Sequence, residues 1–507
     1  MITDGVRWWA RNNPERLAVV FDGVDEVDYA ALDRWTDDTA RRFADLGVTA
    51  GDRVGFVGAN SLEWIASAIG ALKLGAIAVP FNNRFTAAEF RHQLSDAEPV
   101  AIVADEPTQD RMAEAIGSDP VRLLAMESFA AQRPGPRTEP REPLPAPPVA
   151  PDDVAIIVYT SGTTSKPKGV TLSHRSFVSF LTEFAVTEPV MRPGGRMIFV
   201  LSMSGMPGLP WHVLHPLTRG MTLFYERGFD AKAMLARISE CRVEVVCGVP
   251  LLFEQMSALP EFADADLSCI QLATTAGARV SPDNLRVWLD KGVTLRQSYG
   301  MTELHGLSSM NPVEEAVAQP QAFGRGSVFT PHRVIRPDGS ECDPGEEGEI
   351  VARGPSITPG YWRNPEATAA AWRDGWFHTG DLGVADETGL IRMVDRLKDL
   401  IISGGYNIAP SEIENVIAEL PGVDEVCVVP VPDARFGETP AAILYGTDAP
   451  DTAAVVAHCT AQLAGYKVPR YVVHLDEPLP RMASGKIARR EVRDLHADVP
   501  TTHARAR

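Results

Sequence analysis

At 507 residues, with 45% hydrophobic and 23% charged side chains, the chain has the composition of an ordinary globular protein large enough for several cores. Its formal net charge of −19 argues against a general role on nucleic acid or an anionic membrane surface, because the long-range field repels both. The six cysteines (Cys241, Cys247, Cys269, Cys342, Cys427, Cys459) are dispersed without a CxxC pair, which suits a reducing compartment and carries no zinc signal. No apolar run reaches about 18 residues, and the start of the chain lacks a basic-then-apolar leader. The expectation is a cytoplasmic protein.

The pattern opens with a tryptophan-bearing helix over residues 6–12, a hairpin around 21–27 and a helix over 29–46. Residues 52–57 read as a buried strand, and Asn60 and Ser61 as the cap of an apolar helix through Leu74. Gly55 and Gly58 lack the GxGxxG spacing, so helix-start packing is the better reading of them. Residues 76–80 and 99–104 continue the strand–helix alternation, which predicts parallel sheets with helical cover. Residues 132–153 are proline-rich and read as an extended connector between subdomains.

Directly after the connector comes an apolar strand, 154–158, and then YTSGTTSKPKGV over residues 159–170. Glycines let a backbone come close, successive N–H groups form a nest, hydroxyls donate and lysine adds charge. A phosphate loop is the reading, although Lys168 is followed by glycine and the Walker A spacing fails. Ser173 then caps a helix carrying Phe177 and Phe180, and Asp230 caps another over 231–241. Short strands at 243–247, 270–275 and 293–297 follow, the last two ending in the polar turns TTAGA (274–278) and QSYGMTE (297–303). Ligands of open α/β sheets sit beyond the carboxyl ends of strands, so these loops are expected to converge on one site. From residue 395 the chain reads DRLKDLIISGGYNI, then helix (410–420), strands (426–431, 441–445), helix (452–463), strand (471–475) and the turn Ser484-Gly485-Lys486.

Together these motifs resemble the adenylate-forming superfamily of acyl-CoA synthetases. The loop at 159–170, YGMTE at 299–303, TGD at 379–381, DRLKDLIISGGYNIAPSEIE at 395–414 and PRMASGKIARR at 480–490 match its motifs in order, along nearly the whole chain. The resemblance implies an α/β fold. A large N-terminal domain of parallel-sheet subdomains (1–397) would bind nucleotide and acid, and a small mobile α+β lid (398–507) would carry the catalytic lysine. It implies ATP, Mg²⁺ and coenzyme A as cofactors. A carboxylate attacks the α-phosphate of Mg·ATP, and coenzyme A then displaces AMP from the acyl adenylate. In that scheme Thr160, Ser161, Gly162, Thr163, Thr164 and Lys168 hold the phosphates. Thr302 bonds the α-phosphate, and Glu303 suits Mg²⁺, a hard cation that prefers oxygen. Tyr299 and Gly300, with Gly277 and Ala278, frame the adenine, and Asp381 and Arg396 meet the ribose. Lys486 orients the carboxylate. Lys398 is the hinge, and Gly404, Gly405 and Tyr406 border the pantetheine path. Arg489, Arg490 and Lys467 are unplaced candidates for the phosphates of coenzyme A.

Two departures stand out. Ser165 occupies a usual glycine position, and the family's Pro-x-x-His segment is replaced so that Gly205 falls at the histidine, with His212 downstream. A small residue there widens an acyl pocket lined by Met203, Met206, Trp211, His212, Cys247, Val249 and the stretch around His305. The expectation is a medium-chain, alicyclic or aryl acid rather than acetate. Two alternatives stand beside it: loading of an acyl group onto a carrier protein, and a non-enzymatic nucleotide-binding regulator. The expected partners are small molecules, with no nucleic acid, no transmembrane segment, and a homodimer as the assembly considered.

Overall fold

Short runs of Val, Ile and Ala, too apolar to face water on either side, form the centres of two sheets in the first of two compact units, Met1–His332 with Ala352–His378. In the computed structural model, residues 1–134, 144, 147–160, 167–206, 208–276, 280–403, 406–482 and 486–506 are described. One sheet sets Arg53–Val57 parallel between Ile77–Pro80 and Ala101–Ala104, with Arg122–Ala125 beyond. On its other side Val154–Thr160 runs parallel to Ile77–Pro80 but antiparallel to Lys168–Ser173, and Gly360–Tyr361 adds antiparallel to the latter. The second sheet is parallel through Leu295–Tyr299, Leu272–Thr275, Val245–Gly248, Arg196–Phe199, Thr222–Tyr225 and Leu17–Phe21. Antiparallel strands close both of its edges. The expected parallel sheets are therefore present with antiparallel margins.

Local capping follows the residue types. Ser61 accepts from the N–H of Trp64, Ser173 forms a capping box with Ser176, and Asp230 accepts from the N–H of Ala233. Asn60 does something else: its amide donates to the carbonyls of Leu201 and Glu226, at 3.1 Å each. The helix Leu62–Lys73 is buried on nearly every side, and Lys73 at its end is fully buried. Its ammonium is met by Asp33 and, at 2.7 Å, by Asp37, both from the helix Tyr29–Asp45.

The second unit, Arg333–Val351 with Thr379–Arg507, is α+β. Glu425–Asp433 and Gly437–Tyr445 pair antiparallel, and Tyr471–Leu475 runs parallel to the latter. The hairpin Ile401–Ser403 with Tyr406–Ile408 joins the same sheet. Ile413 and Ile417 of the helix Pro410–Ile417 pack on Val428, Ala442 and Leu444. Glu414 receives two hydrogen bonds from Arg489, at 2.6 and 2.9 Å. Lys398 is exposed on a short 3₁₀ turn inside this unit, so the division by packing falls elsewhere than at 398. Among the described residues no helix is long and apolar enough to cross a membrane. All six cysteines are free.

Removing one partner of a buried ion pair strands the other charge. Lys73→Ala leaves two carboxylates against a buried helix end and is expected to cost about 3–5 kcal/mol. Lys73→Met keeps the apolar stem but leaves Asp33 without the ammonium and Asp37 with only Arg7, 3.8 Å away, so it falls between Lys73→Ala and the wild type. The check is the urea midpoint of tryptophan fluorescence; equal midpoints for Lys73→Ala and the wild type would remove the role given to the pair.

Candidate active site

The hydroxyl-rich loop leaves the buried strand at Thr160 and re-enters the sheet at Lys168, two residues that face each other across the antiparallel pair. The strands on either side of it run antiparallel. Residues Ser161, Gly162, Thr163, Thr164 and Ser165 lie outside the described residues, as do Gly277, Ala278, Gly404 and Gly405. Tyr159, at the loop's base, donates its hydroxyl to Asp96 at 2.6 Å; burial first, and then Asp96, raise it far above the ordinary tyrosine range. Lys168 carries its ammonium 5.3 Å from the centre of the Tyr361 ring.

Glu303 is buried on the 3₁₀ turn Thr302–Leu304, and its Oε1 accepts from the Tyr361 hydroxyl at 2.8 Å. Its backbone carbonyl accepts from the N–H of Thr358, also at 2.8 Å. The segment 358–362 is itself laced to the strand that follows the loop. Thr358 donates its hydroxyl to the carbonyl of Thr171, and Trp362 its N–H to the carbonyl of Gly169. Gly360 has φ +149°, a conformation that excludes most side chains. Loop base, Glu303 and this segment are thus one construction, and Tyr361 and Thr358 are the site residues that motif reading missed. The signal was available only as an unremarkable Gly-Tyr-Trp at 360–362.

Tyr299 ends its strand with one ring face against Phe323, at 4.4 Å, and its edge toward His332. Gly300 lies so close to the backbone of Gly306 that a Cβ would collide with it. Thr302 stands half-buried beside Glu303.

In the second unit, Asp381 and Arg396 are directly opposed on the strands Trp376–Ala385 and Ile391–Arg396 and form an ion pair at 3.4 Å. Asp381 is buried, Arg396 exposed. Lys486 closes a turn in which its carbonyl accepts from the N–H of Met482 at 2.7 Å. The residue is exposed by area, yet protein crowds its charged end. Desolvation first, and then the charge of Arg396, hold its ammonium below the ordinary lysine range, against the pull of Asp381. Tyr406 is exposed and stacks on Tyr466 at 4.4 Å. Two candidates for coenzyme A phosphates are already engaged: Arg489 by Glu414 and Lys467 by Glu412. Arg490 is exposed and stands 3.8 Å from Asp494.

The expected acyl-pocket residues divide. Met203, Trp211 and Cys247 are buried in one apolar cluster, with Met206 against it, whereas Val249 packs against a different cluster. Burial pushes the Cys247 thiol up to about 12. A Cβ added at Gly205 would meet nothing within 4 Å. His305 is fully buried in a left-handed conformation, stacked on Phe180 at 5.3 Å, with its Nε2 3.0 Å from the Ser176 hydroxyl. His212 stacks on Phe199, and His215 stacks on Trp211 at 4.3 Å. Neither ring nitrogen of His215 has a hydrogen-bond partner among the described residues.

The chain matches a family model described as AMP-binding enzyme over residues 6–362, and that family's C-terminal domain over 412–486. It is 36% identical over 491 residues to a feruloyl-CoA synthase of Amycolatopsis sp, covering 96% of each chain. It is 34% identical over 511 residues to a long-chain-fatty-acid–CoA ligase of Mycobacterium tuberculosis, covering 98% of each. The crystal structure of ATP-bound MatB from Rhodopseudomonas palustris superposes with a TM-score of 0.87 at 29% identity, covering 97% of this chain and 99% of that one.

Burial holds the buried histidines neutral: it lowers His305 to about 3 and His332 to about 4, and His215 well below its ordinary value. Below the unfolded value of about 6.5, the unfolded chain takes up protons that the folded chain refuses, so stability falls as pH falls. Each such histidine contributes about 1.4 kcal/mol per pH unit between about 6.5 and its folded value. His215→Phe keeps a ring on Trp211 and removes one such group. Urea midpoints from pH 7 to 5 should then fall less steeply than in the wild type, and an unchanged slope would refute the assignment.

Proposed function

A chain that fits both domains of the AMP-binding enzymes belongs to that family, here as an ATP-dependent acid–CoA ligase working through an acyl adenylate, and from that premise we propose how its own residues divide the reaction. The observation that carries the assignment is the cross-strand pairing of Asp381 with Arg396, with Lys486 within the field of both. An acidic residue held almost out of water, opposite a guanidinium, suits a sugar diol. A cation kept below its usual range, with no tight partner among the described residues, suits an incoming carboxylate.

In the first step a carboxylate oxygen attacks the α-phosphorus, and the bond to the bridging oxygen breaks as pyrophosphate leaves with the electron pair. Two anions must meet, so positioned positive charge supplies most of the acceleration. Lys486 orients the carboxylate. Lys168, Thr160 and the loop residues Ser161, Gly162, Thr163 and Thr164 hold the β- and γ-phosphates, and Thr302 holds the α-phosphate. Tyr299 and Gly300, with Gly277 and Ala278, frame the adenine; since Phe323 already covers one face of Tyr299, its other face or edge serves. Glu303, a buried hard-oxygen donor, would hold magnesium. Bound magnesium would offset the charge of the phosphates. In the second step the sulfur of coenzyme A attacks the acyl carbonyl and AMP leaves. Gly404, Gly405 and Tyr406 border its path, and Lys398 is the pivot of a lid from residue 398 onward.

The open space at Gly205, on a segment whose Met203 and Met206 join the apolar cluster of Trp211 and Cys247, supports a bulky or ring-bearing acid. Six free cysteines favour a reducing, cytoplasmic setting. A homodimer is the assembly to test by sedimentation.

Lys486→Ala is expected to lose roughly 10²–10³ in acid-dependent pyrophosphate exchange while ATP binding by calorimetry changes little. Undiminished exchange would remove the lysine from the mechanism. Across a panel of acids, coenzyme A-dependent AMP release should favour ring-bearing and medium-chain acids over acetate in kcat/KM. Preference for acetate would overturn the acyl-pocket reading, and adenylate formation indifferent to coenzyme A would move the acceptor to a carrier protein.

A further inference from the structure

Glu303 and Lys168 come from distant parts of the chain, yet both meet one side chain, Tyr361. The phenol holds the carboxylate through its Oε1 at 2.8 Å, and the ring carries the ammonium 5.3 Å from its centre. The backbone around Tyr361 is fixed independently of either charge. Gly360 and Tyr361 pair with Thr171 and Val170, the N–H of Tyr361 donates to the Thr368 hydroxyl at 2.9 Å, and Thr358 grips the backbone of Glu303. A tyrosine set so rigidly between an acid and a base does more than fill space.

We infer that Tyr361 is a positioning residue that keeps Lys168 and Glu303 apart, holding the carboxylate for the metal and the ammonium for phosphate. Without it two opposite charges, partly out of water, would be drawn toward one another. A cation over an aromatic face is attracted without being neutralised and stays available to a stronger anion. A phenol donating to a carboxylate orients it without cancelling its charge. The inference rests on the reading of Glu303 as the magnesium carboxylate and Lys168 as a phosphate cation.

Tyr361→Phe preserves the ring, its packing and its strand pairing, and removes only the hydroxyl, a volume-conserving change. Calorimetric binding of ATP is measured with and without Mg²⁺ on the full chain, beside the Mg²⁺ dependence of pyrophosphate exchange and the melting temperature. Tyr361→Phe should weaken Mg·ATP about tenfold, the scale of a hydrogen bond to a charged group, and leave Mg²⁺-free ATP binding unchanged. High Mg²⁺ should restore most of the exchange rate. Tyr361→Leu, which loses the ring as well, should weaken ATP binding in both conditions. A lower melting temperature with unaltered Mg²⁺ dependence would mean the residue only packs, and would overturn the inference. Glu303→Gln separates the two levels. If it leaves the Mg²⁺ dependence untouched, the reading of Glu303 falls and this inference with it. If it raises the Mg²⁺ requirement while Tyr361→Phe does not, the inference alone falls. A double variant no worse than Glu303→Gln in Mg²⁺ dependence places both residues in one device, whereas additive losses would part them.

Discussion

Keeping cations unspent is the constraint that shapes this molecule. With 67 acidic residues against 48 lysines and arginines, a positive charge near any site is soon neutralised by a neighbouring carboxylate. The structure separates two populations. Cations that tie elements together sit in close pairs, as Arg489 does with both oxygens of Glu414 and Lys73 does between two aspartates. Those to which we assign substrate contact are held differently. Arg396 faces Asp381 at 3.4 Å with its side chain nearly half exposed, Lys486 feels charge without a tight partner among the described residues, and Lys168 lies over a ring. Looser pairing is thus shared by the three cations to which we assign an incoming anion.

The same distinction explains why Arg489 and Lys467 make poor ligands for an incoming phosphate. Breaking a bidentate, partly buried pair leaves its carboxylate exposed to the phosphate as well, so the gain of one contact is offset by repulsion from the other. Arg490, exposed and 3.8 Å from its nearest carboxylate, carries no such penalty.

Much of the scaffold was legible because its signals are local. The apolar run at 154–158, the caps at Ser61, Ser173 and Asp230, and the strand 471–475 depend on residues within a turn or two of one another. Five motifs in order carried the family and the list of site residues. What escaped was set by distance along the chain. Whether Lys168–Ser173 runs with or against its neighbour depends on sheet closure, not on composition. Asn60 looked like a cap but serves carbonyls 141 and 166 residues away. Tyr361 meets Glu303 across 58 residues, and nothing in the neighbourhood of either names the other. The acyl-pocket residues divided for a related reason: Val249 begins a helix that packs on the far side of its sheet from Met203 and Trp211.

Gly205 has a consequence for the history of such a protein. Most positions that shape a binding cavity are also packed, so altering selectivity there draws on stability that a natural chain holds only in small surplus. At Gly205 an added Cβ would meet nothing within 4 Å. If Gly205 borders the acyl pocket as we propose, choice of acid and integrity of the fold are decoupled at one codon, and a lineage can change substrate there without first acquiring a compensating change elsewhere.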